Sequence, residues 1–335
     1  MVVAGSASVL YNREEGKNGS FLLGQFAPIL LFRANDKVLL ESELEFGLNS
    51  DGSTDTELEY AQLDYAFDDY LSFVGGKFLL PLGTFPEKLH PAWINKMPTL
   101  PLVYTGVGQM MHDTGIVPFS DIGAQALGGV HIGQRDAVFT YAGYLVNGAY
   151  DFEHSDDTGK DQFSFEKGND YLNGSPSGGG RVAVFYPWSP YHDVEVGFSG
   201  QIGTWDKNNE LSWSAMVGDA ALHLGPYTEV RGEYVHTWGE TPDKGTLEPE
   251  GAFAQVAYKL AGLQLDLPLI SNFEAVFRYD YLDRDVTGSR THGYALGLNY
   301  YVTNTLLLKG AYEFIDSSNA PYDHNRLTFQ VAYGF

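Results

Sequence analysis

The sequence predicts an all-β protein whose strands close into an antiparallel, up-and-down transmembrane β-barrel of about sixteen strands. Apolar and polar residues alternate with a period of two in many segments, and short connections alternate with long ones along the chain. The composition agrees, because 14% of the residues are aromatic, including 22 Tyr and 21 Phe. These residue types fit the pleated, half-buried surface of a sheet.

The alternation is clearest over residues 38–48. Leu44 and Phe46 point to one side, and Glu43 and Glu45 to the other, because successive side chains of a strand face opposite ways. One such segment also fits a half-buried strand of a soluble sandwich. In a bilayer, however, strands must pair internally and close into a barrel with an apolar outer face. The pattern returns four times, at residues 228–234, 273–281, 306–314 and 326–335.

The connections favour the membrane barrel over the sandwich. Short links such as 33–36 and 67–70 alternate with longer polar ones such as 11–20 and 148–179. Outer-membrane barrels have short turns at one rim and long loops at the other. At about 21 residues for a strand with its connection, the chain holds about sixteen strands, with fourteen or eighteen as alternatives. We therefore expect one barrel domain over residues 1–335, beginning with a strand at Met1–Leu10.

Aromatic residues recur near the predicted strand ends, where amphipathic rings lie at the depth of the lipid headgroups. They predict two aromatic girdles, although the general aromatic richness of β-proteins is an alternative explanation. The residues are Tyr65, Phe67, Tyr70, Trp188, Tyr191, Trp205, Trp238, Tyr281, Tyr300 and Tyr301.

Several function classes lack support in the sequence. The chain has no Cys, which excludes disulfides, thiolate metal sites and a cysteine nucleophile. A formal net charge of −23 argues against nucleic acid as a partner. No zinc-protease, serine-elbow or phosphate-loop motif occurs. We predict no enzyme activity, no cofactor and no metal site.

The last ten residues, RLTFQVAYGF, alternate apolar and polar side chains and end on an aromatic residue. This segment resembles the closing strand by which the outer-membrane assembly machinery recognises its substrates. The resemblance implies that Tyr333 and Phe335 belong to an assembly signal. It also implies the barrel-assembly machinery as a partner and the bacterial outer membrane as the location.

Residues 73–102, FVGGKFLLPLGTFPEKLHPAWINKMPTLPL, look like the Gly-Lys-Phe…Pro-Leu-Gly region of porins related to the phosphate-selective porins O and P. The resemblance implies a sixteen-stranded barrel, commonly a trimer, with an inward loop after the fifth strand. Anion selectivity is not carried over, because it relies on lysine-rich pore walls. Here only Lys77, Lys88 and Lys96 mark the corresponding region.

The long connection at residues 81–121 contains six prolines, which cannot sit in a strand ladder. We expect this stiff segment to fold into the lumen and narrow the pore, with Lys88, His90 and Lys96 facing the passage. The alternative is an external cap or subunit contact made by apolar side chains, namely Trp93, Ile94, Met97, Leu100 and Leu102.

The alternation predicts a pore wall on which acidic residues outnumber basic ones, and carboxylates in a pore favour cations. These charges could instead form ion pairs that stiffen the wall. Outside the loop at residues 81–121, the predicted inward-facing residues are Glu41, Glu43, Glu45, Lys77, Glu195, Glu229, Arg231, Glu233, Glu274, Arg278, Asp280, Lys309, Glu313 and Arg326.

The expected function is passive diffusion of small hydrophilic solutes or ions through a net acidic, cation-preferring lumen. One alternative is a substrate-specific channel, for example for siderophore or anion uptake. Another is a structural barrel that anchors or sheathes a surface protein complex. Outer-membrane lipid and lipopolysaccharide are expected partners. The acidic segment at residues 151–157 is expected either to be solvated or to bridge to lipopolysaccharide through divalent ions.

Overall fold

The computed structural model describes most of the chain. The described residues are 1–48, 52–105, 115–133, 136–149, 151–155, 160–165, 174–242, 245–265, 267–285, 290–318 and 323–335. Two expectations fall partly outside them. The long loop at residues 81–121 is described except for 106–114, and the acidic segment at residues 151–157 is described only to 155.

Sixteen long strands of the described residues form one closed antiparallel barrel, which confirms the predicted fold class. They are β1 (Val2–Glu14), β2 (Ser20–Arg33), β3 (Val38–Leu48), β4 (Thr54–Ala66), β5 (Ser72–Leu79), β6 (Ser120–Ile132), β7 (Ala137–Val146), β10 (Ser177–Ser189), β11 (His192–Thr204), β12 (Ser212–Leu224), β13 (Thr228–Thr241), β15 (Glu250–Lys259), β16 (Phe273–Asp283), β17 (Thr291–Tyr301), β18 (Leu306–Ser317) and β19 (Arg326–Gly334).

Three short strands accompany the barrel. β8 (Asp151–Ser155) and β9 (Lys160–Ser164) form a separate hairpin in the loop between β7 and β10. β14 (Gly245–Leu247) pairs with the end of β13. Each barrel strand pairs with its neighbours along the chain, and β1 pairs with β19 to close the ring.

One boundary differs from the expectation. β1 continues past Leu10 to Glu14, because Tyr11 still pairs with Phe329 and Arg13 with Leu327 across the closing seam. The first long loop is correspondingly shorter. The connection between β15 and β16, on the rim of the tight turns, is extended by two 3₁₀ turns, Leu260–Leu263 and Ile270–Asn272.

The two faces of β18 show how the barrel is divided. Leu308 and Phe314 are 43% and 46% exposed on the outside, whereas Lys309, Ala311 and Glu313 are buried inside. An apolar outer face and a polar inner face are what a barrel in a bilayer requires. No helix in the described part of the chain is long and apolar enough to cross a membrane.

Most of the expected girdle aromatics are at least partly exposed, and Tyr65, Tyr70 and Trp188 are examples. Two assignments are wrong. Trp205 is buried, and its indole N–H donates to the carbonyl oxygen of Glu240. The Tyr301 hydroxyl donates to Glu274 Oε2, a carboxylate of the inner wall, over 2.9 Å. A position near a strand end does not decide which face a ring lies on.

The seam between the two ends of the chain is closed by backbone hydrogen bonds. The amide of Gly5 donates to the carbonyl oxygen of Phe335 over 2.9 Å. The amide of Phe335 donates in return to the carbonyl oxygen of Gly5 over 3.0 Å. The Phe335 ring stacks on Phe26. Gly5 has a φ of 150°, and a Cβ there would meet the carbonyl oxygen of Ala27.

We predict that Gly5→Ala weakens the closed barrel by about 1–3 kcal/mol, because it adds backbone strain and a steric clash at the seam. The measurement is urea unfolding of the refolded protein, followed by tryptophan fluorescence. Gly218→Ala is the matched control, since its Cβ would have no neighbour within 4 Å. Equal stability of the two variants would contradict this role of Gly5.

Candidate functional site

The loop that follows β5 lies inside the barrel. Its two helical turns are α1 (Phe85–Lys88) and α2 (Leu102–Thr105). Apolar side chains of the loop share one buried cluster with side chains of the barrel wall. From the loop the cluster takes Leu80, Leu82, Phe85, Leu102, Val103, Tyr104, Ile116, Val117 and Phe119, and from the wall Val74, Phe78, Tyr144, Val146, Trp213, Ala215, Val217, Val235, Phe253 and Leu282. The described part of the loop therefore fills one side of the lumen.

A first set of polar contacts holds the start of α1. The backbone amides of Thr84 and Phe85 both donate to Glu233 Oε1 over 2.9 Å. The Thr84 hydroxyl donates to Asp219 Oδ1 over 2.6 Å, and Arg181 also donates to that carboxylate. Inner-wall side chains thus satisfy backbone groups that an irregular loop cannot pair by itself.

The Tyr104 hydroxyl of α2 joins this network by donating to Glu233 Oε2. Burial, and then the neighbouring Glu233 carboxylate, raise the pKa of Tyr104 well above its usual range. The phenol therefore remains a hydrogen-bond donor at any physiological pH.

A second set of contacts is centred on Arg278, which is 1% exposed. Its guanidinium donates to the carbonyl oxygens of Thr99 and Leu100 over 2.7 and 3.1 Å. On the wall side it pairs with Asp280 Oδ2 at 2.7 Å and lies 3.4 Å from Glu313 Oε1. Arg278 therefore ties the loop backbone to carboxylates of two strands.

A third set fixes the segment between the two helical turns. The Lys309 ammonium donates to the carbonyl oxygens of Ala92 and Asn95. The Lys96 ammonium donates to Glu274 Oε1 over 2.7 Å. Between these contacts, Met97 packs against small wall residues, namely Ala257, Ala295, Ala311 and Gly297. The wall is therefore shaped to receive the loop.

The three loop residues expected at the passage differ in their surroundings. The Lys96 ammonium pairs with Glu274 and also lies 3.6 Å from Glu229 Oε2. Lys88 is half exposed and lies 2.9 Å from Glu195 Oε1. His90 lies against the wall of β3, with its Nε2 3.9 Å from Glu43 Oε2.

Other predicted wall residues contact neighbouring strands of the wall. Glu229 accepts from Arg231, and Glu313 accepts from Arg326 over 2.6 Å. Lys77 shares a side of β5 with the exposed Phe73, and the opposite side carries the buried Val74 and Phe78. Its ammonium donates to the carbonyl oxygen of Leu58 over 2.8 Å, so it contacts β4 and not the loop.

The wall formed by β2–β6 is acidic where it faces the loop. Tyr60 donates to Glu41 over 3.0 Å, Gln25 to Glu45 over 3.0 Å, and Gln62 to Asp64 over 3.0 Å. Each of these donors is neutral. A cavity of about 290 Å³ lies between this wall and the loop, lined by Glu41, Glu43, Tyr60, Gln62, Gln125, Glu87 and His90 together with apolar side chains.

Arg181 and Asp219 were not predicted to lie in the site, although both belong to the first set of contacts. Arg181 alternates with the exposed Val182 and Val184, so a period-two analysis of β10 could have found it. Asp219 stands among small residues of β12, where the alternation is weak. Among the described residues, no group of three or more His, Asp or Glu side chains could hold a metal ion.

We predict that Arg278→Met loosens the loop and enlarges the passage. The change removes the donor from the carbonyl oxygens of Thr99 and Leu100 and leaves the buried Asp280 carboxylate without its cationic partner, at a cost of about 3–5 kcal/mol. Single-channel conductance in planar bilayers should rise or become noisy. Arg290→Met is the control, because Arg290 is exposed at the loop rim, where it pairs with Asp283. An unchanged conductance in a folded Arg278→Met barrel would contradict the anchoring role.

Known proteins resemble this chain in sequence over one segment and in fold over its whole length. Residues 217–333 match the family of phosphate-selective porin O and P. The anion-selective porin of Comamonas acidovorans superposes with a TM-score of 0.63 at 12% identity, covering 100% of this chain and 99% of that chain. The outer membrane channel DcaP of Acinetobacter baumannii gives 0.61 at 10% identity, covering 100% and 96%.

OmpT of Vibrio cholerae, in its trimer form, gives a TM-score of 0.59 at 12% identity, covering 100% of this chain and 98% of that chain. Among curated proteins, no sequence is significantly similar to this chain. The chain has the fold of the outer-membrane porins, and its residues 217–333 match the family of phosphate-selective porin O and P.

Proposed function

We propose that the protein lets small hydrophilic solutes diffuse passively and prefers cations, which cross between the loop and the acidic wall of β2–β6. The observation that carries this proposal is the segregation of charge around the lumen. Glu41 and Glu43 line the cavity together with Glu87 of the loop, and Glu45 and Asp64 lie at neighbouring positions of the same wall.

The basic residues of the opposite wall are engaged. Arg181 pairs with Asp219, Arg231 with Glu229, Arg278 with Asp280, and Arg326 with Glu313, while Lys309 binds loop carbonyl oxygens. The described basic residues of β2–β5 and their turns are also engaged: Arg33 lies 3.5 Å from Asp36, Lys37 donates to the carbonyl oxygen of Phe67, and Lys77 lies 3.5 Å from Glu57 Oε1.

This arrangement favours cations for an electrostatic reason. Carboxylates around a narrow passage attract cations, and low-dielectric walls concentrate their field. Paired charges on the far wall largely cancel, and the loop separates them from the cavity. A mobile ion in the passage therefore experiences mainly the acidic wall.

The proposal separates this chain from the anion-selective porin that it resembles. A route for anions needs accessible cationic side chains. Arg181, Arg278 and Lys309 are instead at least nine-tenths buried. We also propose a homotrimer, which the trimer form of the Vibrio cholerae protein supports, embedded in outer-membrane lipid and lipopolysaccharide and inserted by the barrel-assembly machinery through Tyr333 and Phe335.

The test is the reversal potential of the refolded protein in planar bilayers under a KCl gradient. We expect stable open steps with K⁺ preferred over Cl⁻. Replacing three wall carboxylates together, Glu41→Gln, Glu43→Gln and Glu45→Gln, should reduce the permeability ratio about two- to fivefold, since each removes a charge close to the passage.

Glu210→Gln is the control for loss of a carboxylate away from the passage, because Glu210 is exposed in the loop between β11 and β12. It should leave the permeability ratio unchanged. A Cl⁻ preference in the unmodified protein would refute the cation proposal, and silence from a correctly folded barrel would refute diffusion.

A further inference from the structure

One residue that lines the cavity between the loop and the acidic wall carries a buried acceptor without a donor. His90 lines the cavity, and its side chain is 8% exposed. Its Nδ1 lies 2.6 Å from the carbonyl oxygen of Pro86. A carbonyl oxygen can only accept, so Nδ1 carries the ring proton, and Nε2 of the neutral ring presents a lone pair.

That lone pair has no hydrogen-bond partner in the described structure. The nearest charged atom is Glu43 Oε2, 3.9 Å away, which is too far for a hydrogen bond. The Glu43 side chain is itself 3% exposed. Two buried acceptors therefore lie side by side, and a ligand that donates to both would satisfy them.

The distance between these two atoms selects the type of donor. One nitrogen at about 2.9 Å from each atom, the usual hydrogen-bond length, would bridge the 3.9 Å gap with an angle near a right angle. A primary ammonium has three N–H groups and can do this. A zinc-like ion would need both ligands within about 2.2 Å, so the 3.9 Å gap would force an angle of about 125° or more, wider than a tetrahedral site has.

The rest of the cavity indicates the body of the ligand. Ile29, Val74, Phe78 and Leu79 contribute apolar wall, which suits a short hydrocarbon chain. Glu41 lies two residues before Glu43 on the same face of β3, about 6–7 Å along the strand. If one ammonium of a short diamine binds Glu43, the second ammonium would therefore reach Glu41.

We propose that this cavity is a binding site for short aliphatic diamines, in which one ammonium bridges Glu43 and His90 and the other lies near Glu41. The proposal rests on the proposed cation preference and adds a substrate class to it. Glu87 of the loop supplies a further carboxylate at the cavity.

The experiment measures block of the single-channel K⁺ current by 1,4-diaminobutane. The neutral 1,4-butanediol has the same chain without charge, and tetramethylammonium has charge without N–H donors. We expect the diamine to block at concentrations at which these two compounds do not. Glu43→Gln should raise the half-blocking concentration about tenfold, the worth of one charge-assisted hydrogen bond.

His90→Gln and Glu41→Gln are second variants that keep the test valid should Glu43→Gln not fold, as judged by heat-dependent migration in electrophoresis. Both should weaken the block, whereas Glu210→Gln should not. Equal block by tetramethylammonium, or block unaffected by all three cavity substitutions, would overturn the site. In that case a retained K⁺ preference would leave the proposed function intact, whereas a Cl⁻ preference would remove both.

Discussion

An irregular loop inside a barrel must find hydrogen-bond partners for its backbone, and the rest of this lumen depends on how that need is met. Buried charged side chains of the wall supply the partners. Arg278 and Lys309 donate to loop carbonyl oxygens, while Glu233 accepts from two loop amides. Burying a charge costs several kcal/mol unless it is paired. Arg278 is accordingly paired with Asp280 and lies close to Glu313.

This requirement explains why the charges divide into two groups. The wall from β10 to β19 anchors the loop, and its acidic and basic groups neutralise one another. The wall from β2 to β6 borders the open cavity, and there neutral groups such as Tyr60 and Gln62 hold the carboxylates. The acidic character of the passage thus follows from where the loop is anchored, more than from the net charge of the chain.

The sequence predicts the barrel well because its signals are local. A period of two and alternating connections fix strand number and facing, and the inward positions of Glu43, Arg278 and Glu313 follow directly. The pairing of those residues is not local. Lys96 meets Glu274, and Lys309 meets Ala92 and Asn95, across more than 170 positions of sequence. The contact between Lys96 and Glu274 was therefore beyond what the pattern could decide.

The absence of Cys allows a direct test of where the open passage lies. Gln62→Cys places a thiol on the cavity wall, and Val235→Cys places one under the loop, at a position that is fully buried. A positively charged methanethiosulfonate reagent, applied while single-channel current is recorded, should react with the first and reduce its conductance, and leave the second unchanged. Block of the Val235→Cys channel, with no effect on the Gln62→Cys channel, would contradict the position of the passage proposed for this protein.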